Sequence, residues 1–144
     1  MLLKFNEILD KLPYSHPFLF VDELSRIDEN SVEGTYTFSE DEFFYKGHFK
    51  NQPVTPGVIL TECMAQIGVV CLGIFLLKEE KEEPQKIALS STEVDFYLPV
   101  LPGEKVTVIS EKMYFRFKKL KCEVRMYNAE AKLICKGKIA GICA

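Results

Sequence analysis

Histidine is scarce in this sequence. His16 and His48 are the only two in 144 residues, and they lie too far apart for the HExxH helix pair or the spacings of a zinc finger. A protein-ligated metal is therefore not expected. The eight glycines never fall into GxGxxG, GxxxxGK[ST] or GxSxG, which removes the usual signals of dinucleotide binding, a phosphate loop and a hydrolase nucleophile elbow. The five cysteines, Cys63, Cys71, Cys122, Cys135 and Cys143, are odd in number and form no CxxC pair. That pattern, together with Met1-Leu2-Leu3-Lys4 leading into a polar segment and not a signal peptide, predicts reduced thiols and a cytoplasmic protein. Excess positive charge is missing too: 18 basic against 21 acidic residues leave −3, so no global field gathers nucleic acid. What remains is 47% hydrophobic and 27% charged residues, the composition of one globular domain spanning residues 1–144.

Phe5, Ile8, Leu9 and Leu12 fall at helical spacing, and Leu12-Pro13 closes that short helix. Phe18-Leu19-Phe20-Val21-Asp22 reads as a buried strand, and Val32, Gly34, Tyr36 and Phe38 alternate on one face of a second strand, pairing with the first across Asp28-Glu29-Asn30. From Asp41 to Pro56 no period is sustained. A loop of that length inside a compact domain is uncommon and often functional. Val58 to Leu77 is nearly continuously apolar and of helix length, followed by the charged run 78–84. Glu62 and Gln66 in its first turns, with alternating strands on either side, make it a buried core helix and not a membrane span. Beyond Pro84 come strands over Ile87–Ser91, Val94–Leu98, Val106–Phe117, Lys121–Tyr127 and Leu133–Ile142, with a turn at Pro102-Gly103. The expected class is α+β: a long apolar helix wrapped by a curved antiparallel sheet. One sheet covers only part of so apolar a helix, and the rest predicts a partner subunit.

Three positions could carry chemistry. His48, between Gly47 and Phe49 in the long loop, is the side chain type best suited to accept a proton near neutrality. Thr55-Pro56-Gly57 reads as a helix start with Thr55 as cap, leaving a Gly57 amide that a carbonyl oxygen can approach with the helix dipole behind it. Glu62 sits among Val58, Ile59, Leu60, Cys63 and Met64, where desolvation should push its pKa up toward that of a general acid. Gln66, one turn on, is placed to orient Glu62. Each has a plain structural alternative: a loop histidine satisfied by backbone, a well-made helix start, and a carboxyl paired at the helix end. Cys63 reads as a small core residue and not a nucleophile. Arg116, Lys118, Lys119 and Lys121 form a basic hairpin tip, either merely solvated or a docking point for an acidic partner.

Taken together, Leu12-Pro13, Pro17-Phe18-Leu19, Val21-Asp22, Phe44-Tyr45-Lys46-Gly47-His48-Phe49, Pro53-Val54, Pro56-Gly57-Val58, Glu62, Ala65-Gln66, Phe96, Pro99-Val100 and Pro102-Gly103 resemble the (3R)-hydroxyacyl-acyl carrier protein dehydratases of the hotdog fold. The resemblance implies a homodimer, which in this family can assemble into a trimer of dimers, with active sites at the subunit interface and no cofactor. It implies His48 as the catalytic base, Glu62 of the opposite subunit as the catalytic acid, and the Gly57 amide as donor to the thioester carbonyl. Glutamate at position 62 fits the branch that dehydrates without isomerising. Phe18, Phe20, Phe49 and Val58 are the expected walls of the acyl tunnel. The chain departs from the family at Tyr14-Ser15-His16, Lys50-Asn51-Gln52 and Asp95-Phe96-Tyr97-Leu98, which thins the positive rim that would meet an acidic acyl carrier protein. Docking then falls to the basic hairpin tip, or the substrate belongs to a specialised polyketide or pigment chain. A hotdog acyl thioesterase and a non-catalytic acyl-binding partner subunit are the competing readings.

Overall fold

Valine, isoleucine, cysteine and methionine alternate with polar residues through the second half of the chain, and each alternating run becomes a strand of one sheet. The computed structural model describes residues 5–77 and 86–143; residues 1–4, the charged run 78–84 with residue 85, and residue 144 lie outside the described residues. After a short helix α1 (Phe5–Asp10) come β1 (Glu23–Ile27) and β2 (Ser31–Thr37), a 3-10 turn at Phe43–Lys46, and the long helix α2 (Gly57–Leu76). Then follow β3 (Ile87–Phe96), β4 (Lys105–Arg116), β5 (Lys119–Tyr127) and β6 (Leu133–Cys143). The sheet order is β1-β2-β4-β5-β6-β3, and every neighbouring pair is antiparallel. This is the α+β hotdog arrangement, with α2 as the filling.

The alternation is realised as expected. Val32, Gly34 and Tyr36 of β2 face inward, as do Cys122, Val124 and Met126 of β5. Helix α2 is long and apolar enough to cross a membrane, but 83% of its most apolar window is buried against the sheet. Small residues let it lie close. A Cβ at Gly68 would stand 3.0 Å from Ser110 and Val124, and one at Gly34 would stand 2.9 Å from Ile67, both tighter than ordinary packing. At Gln66–Cys71 the helix widens into a π turn, and there the Ser110 hydroxyl, fully buried on β4, donates to the Gly68 carbonyl at 2.8 Å.

Two sequence readings change. Phe18–Asp22 is not a strand; β1 begins at Glu23. The Phe20 N–H donates to Gln66 Oε1 at 2.8 Å and the Phe18 carbonyl accepts from Gln66 Nε2 at 3.0 Å. A side chain of α2 thus satisfies backbone groups that a strand ladder would otherwise take. The two strands expected over Ile87–Ser91 and Val94–Leu98 are one, β3, with a register irregularity between Leu89 and Ser91. Since β3 ends the strand order, one of its edges is open, and most of its residues are exposed.

Replacing Ser110 by alanine removes the donor to a buried carbonyl and is expected to cost about 1–3 kcal/mol. The measurement is a urea titration, in which the midpoint should fall with unchanged slope; a wild-type midpoint would contradict the packing described here.

Candidate active site

The His48 loop is fastened on both sides. Before it, the buried Glu42 carboxylate accepts the Tyr36 hydroxyl at 2.5 Å and the Ser39 N–H at 3.2 Å. After it, Thr55 pairs its hydroxyl with that of Tyr45 at 2.6 Å and donates its N–H to the Val100 carbonyl at 2.9 Å. Within the loop, His48 and Val54 bond reciprocally: the Val54 N–H donates to the His48 carbonyl at 2.8 Å, and Nδ1 lies 3.0 Å from the Val54 carbonyl. A carbonyl only accepts, so Nδ1 carries the proton and Nε2 of the neutral ring is left with a lone pair. The Phe49 ring stacks on the imidazole at 4.1 Å between centroids, while its own far side is exposed.

Thr55 is not the helix cap. Its hydroxyl is engaged by Tyr45, and Pro56 occupies the cap position of α2 without a side-chain cap bond. Gly57 is the first helical residue, and an amide there has no acceptor within the helix. Phe96 of β3 lies over its Cα: a Cβ at position 57 would meet the ring at 3.3 Å. A pocket of about 370 Å³ opens beside them, walled by Leu60, Tyr97, Leu98 and Pro99. Val58 next door is 77% exposed despite being valine.

Glu62 is half-buried, and burial holds its carboxyl above the ordinary carboxylate range, an effect partly offset by the bond from Gln66. Gln66 is fully buried and uses both ends of its amide. Nε2 donates to Glu62 Oε2 at 3.0 Å and to the Phe18 carbonyl, and Oε1 accepts from Phe20. Glu62 opens into a pocket of about 260 Å³ whose other walls include Tyr14, Ala65, Val69, Ile87 and Leu89. His48 and Gly57 do not line it. The structure therefore joins Glu62 with Gln66, and His48 with Phe49, but the cavity that takes in Glu62 does not include His48. Phe20, offered by the sequence as a tunnel wall, is fully buried among Phe38, Tyr36 and Phe44; Phe18 stacks edge-on against it with its own ring part-exposed. Cys63 donates its thiol to the Phe20 carbonyl at 3.4 Å, and burial pushes its pKa far up, which leaves it no nucleophilic role. Tyr14 was not singled out for chemistry by sequence reading; its signal was the departure at Tyr14-Ser15-His16.

A single apolar helix enclosed by an antiparallel sheet, with a desolvated carboxyl on the helix and an unpaired amide at its start, defines a hotdog-fold protein with a polar site at the helix end. The chain belongs to the FabA-like domain family, whose model matches residues 12–141. It is 33% identical over 142 residues to the 3-hydroxyacyl-[acyl-carrier-protein] dehydratase FabZ of Clostridium perfringens, covering 96% of each chain. To the enzyme of that name from Caldicellulosiruptor bescii it is 32% identical over 136 residues, covering 93% of this chain and 94% of the relative. Among solved structures it resembles the dehydratase heterocomplex ApeI:P from Xenorhabdus doucetiae, with a TM-score of 0.80 at 17% identity over 95% of this chain and 90% of the other. A hypothetical thioesterase with coenzyme A from Streptococcus pneumoniae shares the fold with a TM-score of 0.65 at 13% identity, over 85% of this chain and 84% of the other.

Because the folded carboxyl of Glu62 holds its proton more tightly than an unfolded one, its contribution favours folding below the ordinary carboxylate range and is lost as pH rises through its raised folded value. Glu62→Gln is therefore expected to raise Tm relative to the wild type at pH 8 and to leave it unchanged at pH 4. Parallel melting curves at the two pH values check the sign; equal effects at both would show that the carboxyl is not strained by burial.

Proposed function

We propose that this chain dehydrates (3R)-3-hydroxyacyl thioesters on acyl carrier protein to trans-2-enoyl thioesters during acyl-chain synthesis. The observation that carries the reading is Glu62, a carboxyl held by Gln66 in an otherwise mostly apolar pocket, in a chain whose near-full-length relatives are named as such dehydratases. His48 Nε2 takes a proton from C2, and the Gly57 N–H polarises the thioester carbonyl that makes this proton acidic. The electron pair of the C2–H bond becomes the C2–C3 double bond. The C3–O bond breaks as Glu62 protonates the departing hydroxyl, which leaves as water.

The reading needs two chains. His48 is absent from the walls of the Glu62 pocket, that pocket borders Ile87 and Leu89 of the open edge strand β3, and Phe96, Tyr97 and Val58 are exposed around Gly57 toward the other end of that strand. A second copy set against this edge buries them and brings its His48 toward Glu62. The single domain is the catalytic unit only as a dimer.

The hairpin between β4 and β5 is the proposed carrier dock. Phe117 and Lys118 hold left-handed backbone angles, with φ of 52° and 60°, and Phe117 is 94% exposed. Bulky residues rarely occupy that conformation without a reason. The turn presents an aromatic tip flanked by Arg116, Lys118 and Lys119, fitted to an acidic partner with an apolar spot.

Hydration of an enoyl thioester by the purified protein tests the reaction, and His48→Ala or Glu62→Gln should each lower kcat at least about a hundredfold. Mixing the two inactive variants should restore about a quarter of wild-type activity, since half of the dimers become hybrids with one intact site each. No recovery would mean that each site lies within one chain. Release of free thiol without enoyl product would replace the lyase with a thioesterase, and absence of any turnover would favour a non-catalytic subunit.

Separately, Lys118→Glu with Lys119→Glu should raise KM about tenfold or more for carrier-bound substrate at low salt and leave it unchanged for a pantetheine thioester. An equal effect on both substrates would remove the hairpin from carrier docking.

A further inference from the structure

Tyr14 lies on the segment between α1 and β1, which is anchored at one end by buried Leu12 and at the other by the Gln66 bonds to Phe18 and Phe20. Its ring packs against the core, and it lines the same pocket as Glu62. A tyrosine set into an apolar environment ordinarily pairs its hydroxyl. Among the described residues, that of Tyr14 has no hydrogen-bond partner, whereas Tyr36 and Tyr45 both do. The remaining walls of the pocket, such as Ala65, Val69, Val70 and Ile87, are apolar. Two side chains with polar ends therefore face one greasy cavity. One of them, Glu62, is already held by Gln66; the other has no partner among the described residues.

A 3-hydroxyacyl thioester brings two acyl-chain oxygens to such a site, at C1 and at C3. The carbonyl oxygen at C1 belongs with the Gly57 amide, in a different pocket, so the oxygen that reaches the Glu62 pocket is the one at C3. We infer that Tyr14 is a second recognition residue for the C3 oxygen, its O–H donating a hydrogen bond there while Glu62 supplies the proton that releases water. This rests on the dehydratase reading and deepens it by assigning a residue that distinguishes a 3-hydroxyacyl chain from a saturated one. The phenol remains a donor throughout: burial, the Glu62 carboxyl and Cys71 push its pKa up to about 12, so it keeps its proton at neutral pH. Glu62 alone gives up a proton, and the bond from Tyr14 strengthens as negative charge gathers on the leaving oxygen. A site built to bond a substrate hydroxyl discriminates against the analogue lacking it, because its own polar group is then left unpaired.

The test measures binding without turnover. In the His48→Ala background, 3-hydroxyoctanoyl pantetheine and octanoyl pantetheine are titrated calorimetrically against the protein with and without Tyr14→Phe, which keeps the ring and removes the hydroxyl. The expected result is about tenfold weaker binding of the hydroxylated ligand and about unchanged binding of the saturated one. Equal weakening of both ligands, as from a disturbed fold, or no weakening of either overturns the role of Tyr14. The dehydratase reading stands or falls apart from this, on enoyl hydration by the wild-type chain. If that chain hydrates no enoyl thioester and binds neither ligand, the reading falls and the inference with it.

Discussion

The side chain of Gln66 is the constraint on which the site depends. Buried on a helix otherwise surrounded by apolar side chains, its amide would cost several kcal/mol if left unpaired. It is instead bonded to the Phe18 carbonyl, the Phe20 N–H and the Glu62 carboxylate. The first two bonds hold an irregular segment against the helix where a strand would need a neighbour; the third fixes the rotamer of the carboxyl. Packing and chemistry share this one residue, so the orientation of Glu62 is only as firm as the seating of the 18–20 segment.

The other half of the site is built on a different principle. His48 is positioned by backbone, through its reciprocal bonds with Val54, and its loop is moored by pairs of hydroxyls and a buried carboxylate. None of these anchors touches Glu62 or Gln66. In the dimer proposed above, two independently braced groups meeting across the subunit boundary would tolerate changes in either scaffold, provided the open edge of β3 keeps its shape. This separation suits a fold shared by proteins of very low identity, in which the helix and sheet persist while loops change.

Much of this was legible in the sequence. Alternation in Val32–Phe38 and Cys122–Met126 gave the inward faces correctly, and the length and apolarity of 58–77 gave the central helix. The Gln66 contact with Glu62 followed from helical spacing. Phe18–Asp22 misled because a run of apolar residues looks alike in a strand and in an extended segment capped by a side chain forty-odd residues away; periodicity carries no information about that partner. Thr55 misled in the same way, since a hydroxyl at a helix start has the right chemistry to cap but was recruited by Tyr45. Tyr14 belonged to no periodic run, and its one sequence signal was the departure at Tyr14-Ser15-His16. Its importance comes from tertiary placement, which only coordinates reveal.

The π turn at Gln66–Cys71 has a consequence for how this helix came to serve two neighbours. Each residue of an α-helix advances the direction of its side chain by about a hundred degrees, so a single residue accommodated in a widened turn offsets the azimuth of everything beyond it. The stretch carrying Glu62 is thereby phased separately from the stretch carrying Ile74 and Phe75. One end can turn Glu62 into its pocket while the other packs into the core, without a break in the rod.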